Sequence, residues 1–223
     1  MSPNVDVQHY KAVLFDMDGV ITDSMPCHCE AWKSVFADHG ILVTEEEILK
    51  REGEKGAITL QAVFAQHGKS LAENDINSLL MKKEELFRTL AFPPRLFAGA
   101  KECVEELCSR GKKLGLVTGT SGYEVRTNVP ASLLSCFHIV ISGDLVTRGK
   151  PDPEPYRLAL EGLSAAPEEA IVIENAPFGI RSAKGAGIYC IALATSLPPL
   201  FLQEADLVLR DLKELREVLG APR

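Results

Sequence analysis

Residues Val13–Ser24 read VLFDMDGVITDS. The apolar run Val13-Leu14-Phe15 leads straight into Asp16 and Asp18, then Gly19, then a second apolar stretch. A continuous rather than alternating apolar run marks a strand buried on both faces. Two unpaired carboxylates beside a buried strand are expensive to keep without a function. A single Asp after a strand is more often a turn or cap residue. Asp23 and Ser24 read that way, as hinge and N-cap of the next helix.

Working outward, five further apolar runs have the same character: KLGLVT (113–118), HIVIS (138–142), AIVIE (170–174), YCIAL (189–193) and, more weakly, ADLVL (205–209). Helical patterns separate most of them. One runs from Gly99 to Arg110 and stops at Gly111. One opens with Asp152-Pro153-Glu154 as N-cap, N1 proline and first-turn acid. Others cover Phe178–Ala186 and Leu212–Leu219. Strand and helix in alternation imply right-handed crossovers and a parallel sheet covered on both faces. The expected fold class is α/β, a Rossmann-like parallel-sheet core.

The rhythm breaks between about Met25 and Pro94. No strand is legible there, only helix-like stretches: Cys27–His39, Glu45–Arg51, Ile58–His67 and Asp75–Leu90. A helical insertion explains this better than a long loop. The expected organisation is a discontinuous core, 1–24 and 95–223, with a helical cap at 25–94 and Pro93-Pro94 as the return hinge.

Composition narrows the function. The chain has 223 residues and a net charge of −7, with no basic run able to serve nucleic acid or an anionic membrane. The Lys pairs at 82–83 and 112–113 read as solvated faces. No apolar stretch is long enough to span a bilayer. MSPNVDVQHYK lacks the layout of a signal peptide, so a cytoplasmic protein, monomer or homodimer, is expected. Six cysteines without a C-x-x-C motif fit that compartment. Cys27-His28-Cys29 has no second ligand pair at a zinc spacing, and its thiols read as buried or half-buried.

In an open parallel sheet, ligands bind at the carboxyl ends of the strands. Those ends carry Asp16 and Asp18; Thr118, Gly119, Thr120 and Ser121; Lys150 in GKPDPEPY; and Glu174 with Asn175 in IVIENAPFGI. Clustered carboxylates invite a cation, and oxygen ligands suit Mg²⁺ together with a substrate phosphate. A Thr hydroxyl, backbone N–H groups and a Lys suit phosphoryl oxygens. Neither a Walker loop nor a dinucleotide fingerprint is present.

DMDGV, the VTGTS strand end, the lysine of GKPDPEPY and the acidic IVIEN, in that order, resemble the four motifs of the haloacid dehalogenase-like hydrolases. VLFDMDGVITDSMPCHCEAWK and the insertion behind it are most similar to the β-phosphoglucomutase-like branch of phosphatases and phosphomutases. The resemblance implies a nucleophile at Asp16, forming an aspartyl phosphate, and a general acid/base at Asp18. It implies phosphoryl contacts from Thr118, the Gly119 N–H, Thr120 and Lys150, and a Mg²⁺ site from Asp16, Asp18, Glu174 and Asn175. Asn175 departs from the commoner Asp, which implies weaker metal binding. In the insertion, His28 is expected near the leaving group, Lys55 and Arg51 near the substrate, and Trp32 in the packing.

The implied substrate is a small phosphorylated sugar or related metabolite. A mutase would favour an arginine in the cap loop where Gly56 stands, and basic groups after Thr118 where Gly-Thr-Ser-Gly stands. A phosphatase is therefore favoured, with a hexose-phosphate mutase second and an inactive sugar-phosphate sensor third. Asp18 disfavours a true dehalogenase. The length and the insertion disfavour a receiver-type signalling domain.

Overall fold

The computed structural model describes residues 9–91 and 93–220. The first eight residues of the N-terminal stretch read for a targeting signal lie outside them. Six strands form one sheet: β1 (Ala12–Phe15), β2 (Lys113–Val117), β3 (Ile139–Ile141), β4 (Ala170–Glu174), β5 (Tyr189–Leu193) and β6 (Leu207–Leu209). Their order is β3-β2-β1-β4-β5-β6, and every neighbouring pair is parallel. All six match the apolar runs of the sequence.

The period of two along β1 divides the core. Val13 and Phe15 belong to a cluster with Val104 and Leu107 of α5 (Ala100–Ser109) and Leu212 and Leu215 of α10 (Leu212–Val218). Ala12 and Leu14 belong to the opposite cluster, with Tyr156 and Leu160 of α8 (Glu154–Leu163) and Ile180 of α9 (Pro177–Gly185). Both faces of the sheet are thus covered, as continuous apolar strands require. The chain winds from β1 outward through β2 to β3, then returns to place β4 on the other side of β1. The switch point lies between β1 and β4, and its carboxyl end is where Asp16 and Glu174 emerge.

Four helices fill the interval after β1: α1 (Met25–Ala37), α2 (Glu45–Leu49), α3 (Gly56–Gln66) and α4 (Glu73–Leu90). They bury a cluster of their own, including Trp32, Val35, Phe36, Leu60, Phe64 and Leu79. Thr44 and Glu47 form a reciprocal capping box that starts α2. The two connections to the sheet run side by side. The Asp23 N–H donates to the Arg95 carbonyl at 2.9 Å, and Thr22 bridges Leu96.

Three local expectations change. Ser24 does occupy the N-cap of α1, but its hydroxyl makes no capping bond and turns to Asp18 instead. Pro153, not Asp152, is the N-cap of α8, although the Asp152 carboxylate still accepts the Glu154 N–H at 2.9 Å. Lys83 is not on a solvated face. It is buried, with its ammonium 5.6 Å from the Trp32 ring centre and 5.0 Å from that of Phe87. Its neighbour Lys82 is exposed and pairs with Asp38.

Phe36 is fully buried in the helical cluster. Phe36→Ala is expected to destabilise the protein by about 3–5 kcal/mol, through lost burial and the cavity left behind. Urea denaturation of the variant measures this.

Candidate active site

Asp16 follows β1 and its backbone N–H donates to the Ile173 carbonyl at 2.9 Å, which fixes it beside β4. The Lys150 ammonium donates to Asp16 Oδ1 at 2.5 Å, to Glu174 Oε1 at 2.7 Å and to the Val117 carbonyl at 3.1 Å. Lys150 is 1% exposed, so its ammonium is sealed from solvent while Asp16 lines the cleft. Glu174 is engaged on both oxygens. Oε1 also accepts from the Tyr156 hydroxyl, and Oε2 accepts the N–H groups of Asn175 and Ala176. A Cβ at Gly179 would lie 1.7 Å from Glu174 Oε1, so only glycine in α9 leaves room for that carboxylate. Glu174 therefore anchors Lys150 while its other oxygen is held by backbone N–H groups.

Asp18 stands in a shell of donors. Oδ1 receives the Ser24 hydroxyl at 2.6 Å, the Thr22 hydroxyl at 3.2 Å and His28 Nε2 at 3.3 Å. Oδ2 receives the hydroxyls of Thr120 at 3.2 Å and Thr118 at 3.4 Å. Thr118 Oγ1 in turn accepts the Thr120 N–H at 3.1 Å. Ser121 caps the short helix α6 (Gly122–Asn128), whose neighbour is α7 (Ala131–Leu134). The strand-end residues Asp16, Asp18, Thr118, Thr120 and Lys150 thus meet on one rim, and Gly119 lies among them.

Asn175 is completely buried. Its amide nitrogen donates to Glu52 Oε2 at 2.8 Å and to Ser196 Oγ at 3.0 Å. Its oxygen Oδ1 has no partner, and neither has Glu52 Oε1. Glu52 lies between α2 and α3, and sequence reasoning missed it because nothing local distinguishes it from a surface acid.

The helical insertion closes one side of a cleft over this rim. His28 stacks on Phe87 with ring centres 3.9 Å apart. Arg51 lines the cleft but pairs with Glu54 at 3.1 Å. Lys55 turns away and its ammonium donates to the Val146 carbonyl at 2.5 Å, so it clasps the core rather than facing the cleft. Lys83 and Glu124 complete the lining. Neither was legible: Lys83 looked like a helix-surface residue, and nothing in the local sequence singles out Glu124.

The charges do not balance. Asp16 and Glu174 are buried on one ammonium, and Glu52 is buried on neighbouring Asn175. Burial pushes Asp16 up to about 8, against the pull of Lys150 and with help from Glu174 and Asp18. Burial and then Asp16 raise Glu52 well above the ordinary carboxylate range. Burial opposes the charge on Lys150, but Asp16 and Glu174 outweigh it and hold it above its usual value. An elevated Lys150 needs ionised partners, whereas an elevated Asp16 is a protonated one. One cation shared between Asp16 and Glu174, with Glu52 close by, reconciles them: Lys150 stays charged, and the surplus acid takes up a proton.

Burial likewise opposes the charge on Asp18, but His28, its hydrogen bond, Ser24 and Lys83 hold it well below the usual range. Burial and Lys83 lower His28, so near neutral pH it meets Asp18 as a neutral donor. The hydroxyl donors therefore carry much of the stabilisation of the Asp18 carboxylate.

Among the described residues no three His, Cys, Asp or Glu side chains form a ready-made metal cage. Mg²⁺ does not require one, since it takes one or two carboxylates with neutral oxygens, water and phosphate. The residues present fit it: a surplus of buried acid, and two buried oxygens, Asn175 Oδ1 and Glu52 Oε1, without donors.

Residues 13–193 match the model of a family described as haloacid dehalogenase-like hydrolase. The chain belongs to that family. It is similar to validoxylamine A 7′-phosphate phosphatase of Streptomyces hygroscopicus subsp. limoneus, 34% identical over 93% of this chain and 96% of that protein. It is 33% identical to hexitol phosphatase A of Escherichia coli, over 92% and 93% of the two chains. Among solved structures, CbbY from Rhodobacter sphaeroides in complex with phosphate superposes with a TM-score of 0.77, at 30% identity over 92% of this chain and 96% of that one. The chain is an enzyme of the same α/β architecture.

A carboxyl raised by folding holds a proton that the unfolded chain releases. Its contribution is a loss of stability as pH climbs from the ordinary 3.8 to about 8. Asp16→Asn has no such loss. Without divalent metal, its stability relative to the unaltered chain is expected to rise between pH ~5 and ~8.5, by on the order of a few kcal/mol. Denaturation curves at both pH values, in chelator, measure it; a constant difference would refute a protonated Asp16.

Proposed function

We propose that the chain is a Mg²⁺-dependent phosphatase of small phosphorylated sugars or related metabolites, working through an aspartyl phosphate on Asp16. The observation that carries this is the pairing of Asp16 with Lys150 at 2.5 Å at the switch point, with Asp18 on the same rim. Asp16 attacks phosphorus in line as the bond to the substrate oxygen breaks; the negative charge of phosphate bound beside Asp18 favours the protonated form of that acid, which gives the leaving oxygen its proton. Asp18 then takes a proton from the water that attacks the phosphoryl group, releasing inorganic phosphate and restoring Asp16. Thr118, Thr120 and the Gly119 N–H hold phosphoryl oxygens, and Lys150 balances their charge. Asp16, the Asp18 backbone carbonyl and Asn175 would hold Mg²⁺, which when bound neutralises charge between nucleophile and phosphate.

The helical insertion, about 25–94, acts as a cap that excludes water and selects the substrate. His28 and Lys83 face the leaving group. A phosphatase is favoured over a mutase because a mutase must seat a second phosphate. Arg51 is engaged by Glu54 and Lys55 by Val146, and Lys83 shares its wall with the acid Glu124. The names of the two phosphatases above support a polyol-like phosphate as substrate. No helix among the described residues is long and apolar enough to cross a membrane, which accords with a proposed cytoplasmic role.

Phosphorus NMR with Mg²⁺ and a panel of hexose and hexitol phosphates is expected to show growth of free phosphate. Excess chelator is expected to stop it. Asp16→Asn is expected to leave below about one-thousandth of the turnover while retaining the fold. Exchange of phosphate between C1 and C6 without release would identify a mutase. Binding without turnover would identify a sensor.

A further inference from the structure

We propose that Glu52 of the cap supplies the metal-binding carboxylate that Asn175 lacks, so that cation binding and cap closure form one coupled equilibrium. The proposal rests on reading the site as a Mg²⁺ site. Its own support is geometric. Both hydrogens of the Asn175 amide are engaged, by Glu52 and Ser196, while Oδ1 has no partner. Glu52 is 9% exposed, and it accepts through Oε2 while Oε1 has none. Buried oxygens without donors are rare and costly. Two of them on hydrogen-bonded neighbours beside Asp16 mark a place for a cation.

The position of Glu52 is imposed. Gly53 has a φ of +80°, and a Cβ there would stand 2.7 Å from Lys150 Cδ. A Cβ on Gly119 would stand 2.7 Å from the Gly53 carbonyl. The loop is therefore pressed against the core on both sides of Glu52's neighbour, and Lys55 fastens it to Val146. Glu52 belongs to the loop between α2 and α3 of the insertion and Asn175 follows β4 of the core, so the contact joins cap to core and would be lost if the cap moved away. An Asp at 175 would leave the cation site complete on the core. With Asn there, the missing charge arrives on the cap. A cation that binds the closed form better must favour closure, and closure must tighten the cation by the same factor.

The test uses the full chain without substrate. Mn²⁺ binding is followed by the EPR signal of the free ion, and Mg²⁺ binding by calorimetry. Trp32, the single tryptophan, lines the cleft and reports closure by fluorescence. Glu52→Gln is expected to weaken Mn²⁺ binding about 10-fold or more and to abolish the metal-dependent change at Trp32. The double variant Glu52→Gln/Asn175→Asp is expected to recover binding but not the Trp32 response. Either Glu52→Gln binding Mn²⁺ as tightly as the unaltered chain, or a double variant no better than Glu52→Gln, would overturn the proposal. An unaltered chain that binds neither ion would overturn the Mg²⁺ reading itself and this proposal with it. Because no turnover is measured, failure to find a substrate affects neither result.

Discussion

Much of this molecule follows from a shortage of positive charge at one end of its sheet. Asp16, Asp18, Glu52 and Glu174 are all buried at or near the carboxyl ends of β1 and β4, and among the described residues Lys150 is the one ammonium in direct contact with any of them. Burying such a set is tolerable only if the acids find donors, protons or a cation. The protein uses all three. Asp18 has its hydroxyl shell, Glu174 has Lys150, Tyr156 and two backbone N–H groups, and Asp16 rises toward protonation. What is left over, the oxygens of Glu52 and Asn175, is where the demand for a cation is concentrated.

This imbalance separates tasks that the sequence presents as alike. Four acids near strand ends look interchangeable on paper. In the fold Glu174 is spent on holding Lys150, and the space for it exists because residue 179 is glycine. Asp18 is held ionised by neighbours on three segments: Thr22 and Ser24 from the loop after β1, Thr118 and Thr120 after β2, and His28 from α1. Asp16 alone combines a buried carboxylate with one strong cationic contact on the open rim. That difference in surroundings, not in residue type, suits it to be the nucleophile once a bound cation displaces its proton.

The sheet and its rim were legible in the sequence because both follow short-range rules. Continuous apolar runs mark strands buried on both faces, and strand ends in a parallel sheet converge whatever lies between them. The four helices of the insertion were legible from periodicity and from the absence of strands. Long-range contacts were not. Glu52 gains its meaning from Asn175 across 123 residues, and nothing in REGEKG distinguishes it from a solvated acid. Lys83 follows Lys82 on an amphipathic helix, and one residue of helical rotation separates a surface ion pair from a buried cation between two aromatic rings. Ser24 was recognised as a cap position, but the cap site and the Asp18 shell compete for one hydroxyl, and the charged acceptor wins.

Asn175 is the residue on which two accounts of the protein divide. Taken alone it looks like a lesion, an amide where a charge belongs. A site that had merely lost its metal would be expected to relax toward neutrality, with the surrounding acids removed or paired. The opposite is found: an additional carboxylate, Glu52, is buried against the amide, and the amide's two hydrogens orient it there while its oxygen is left free. Keeping that arrangement costs stability in the metal-free protein, since Glu52 is raised by burial and by Asp16. A cost retained at a rim that still carries its nucleophile, its acid and its lysine is better explained by a charge moved to the cap than by a charge lost. Moved there, it ties the completeness of the site to the position of the helices above it.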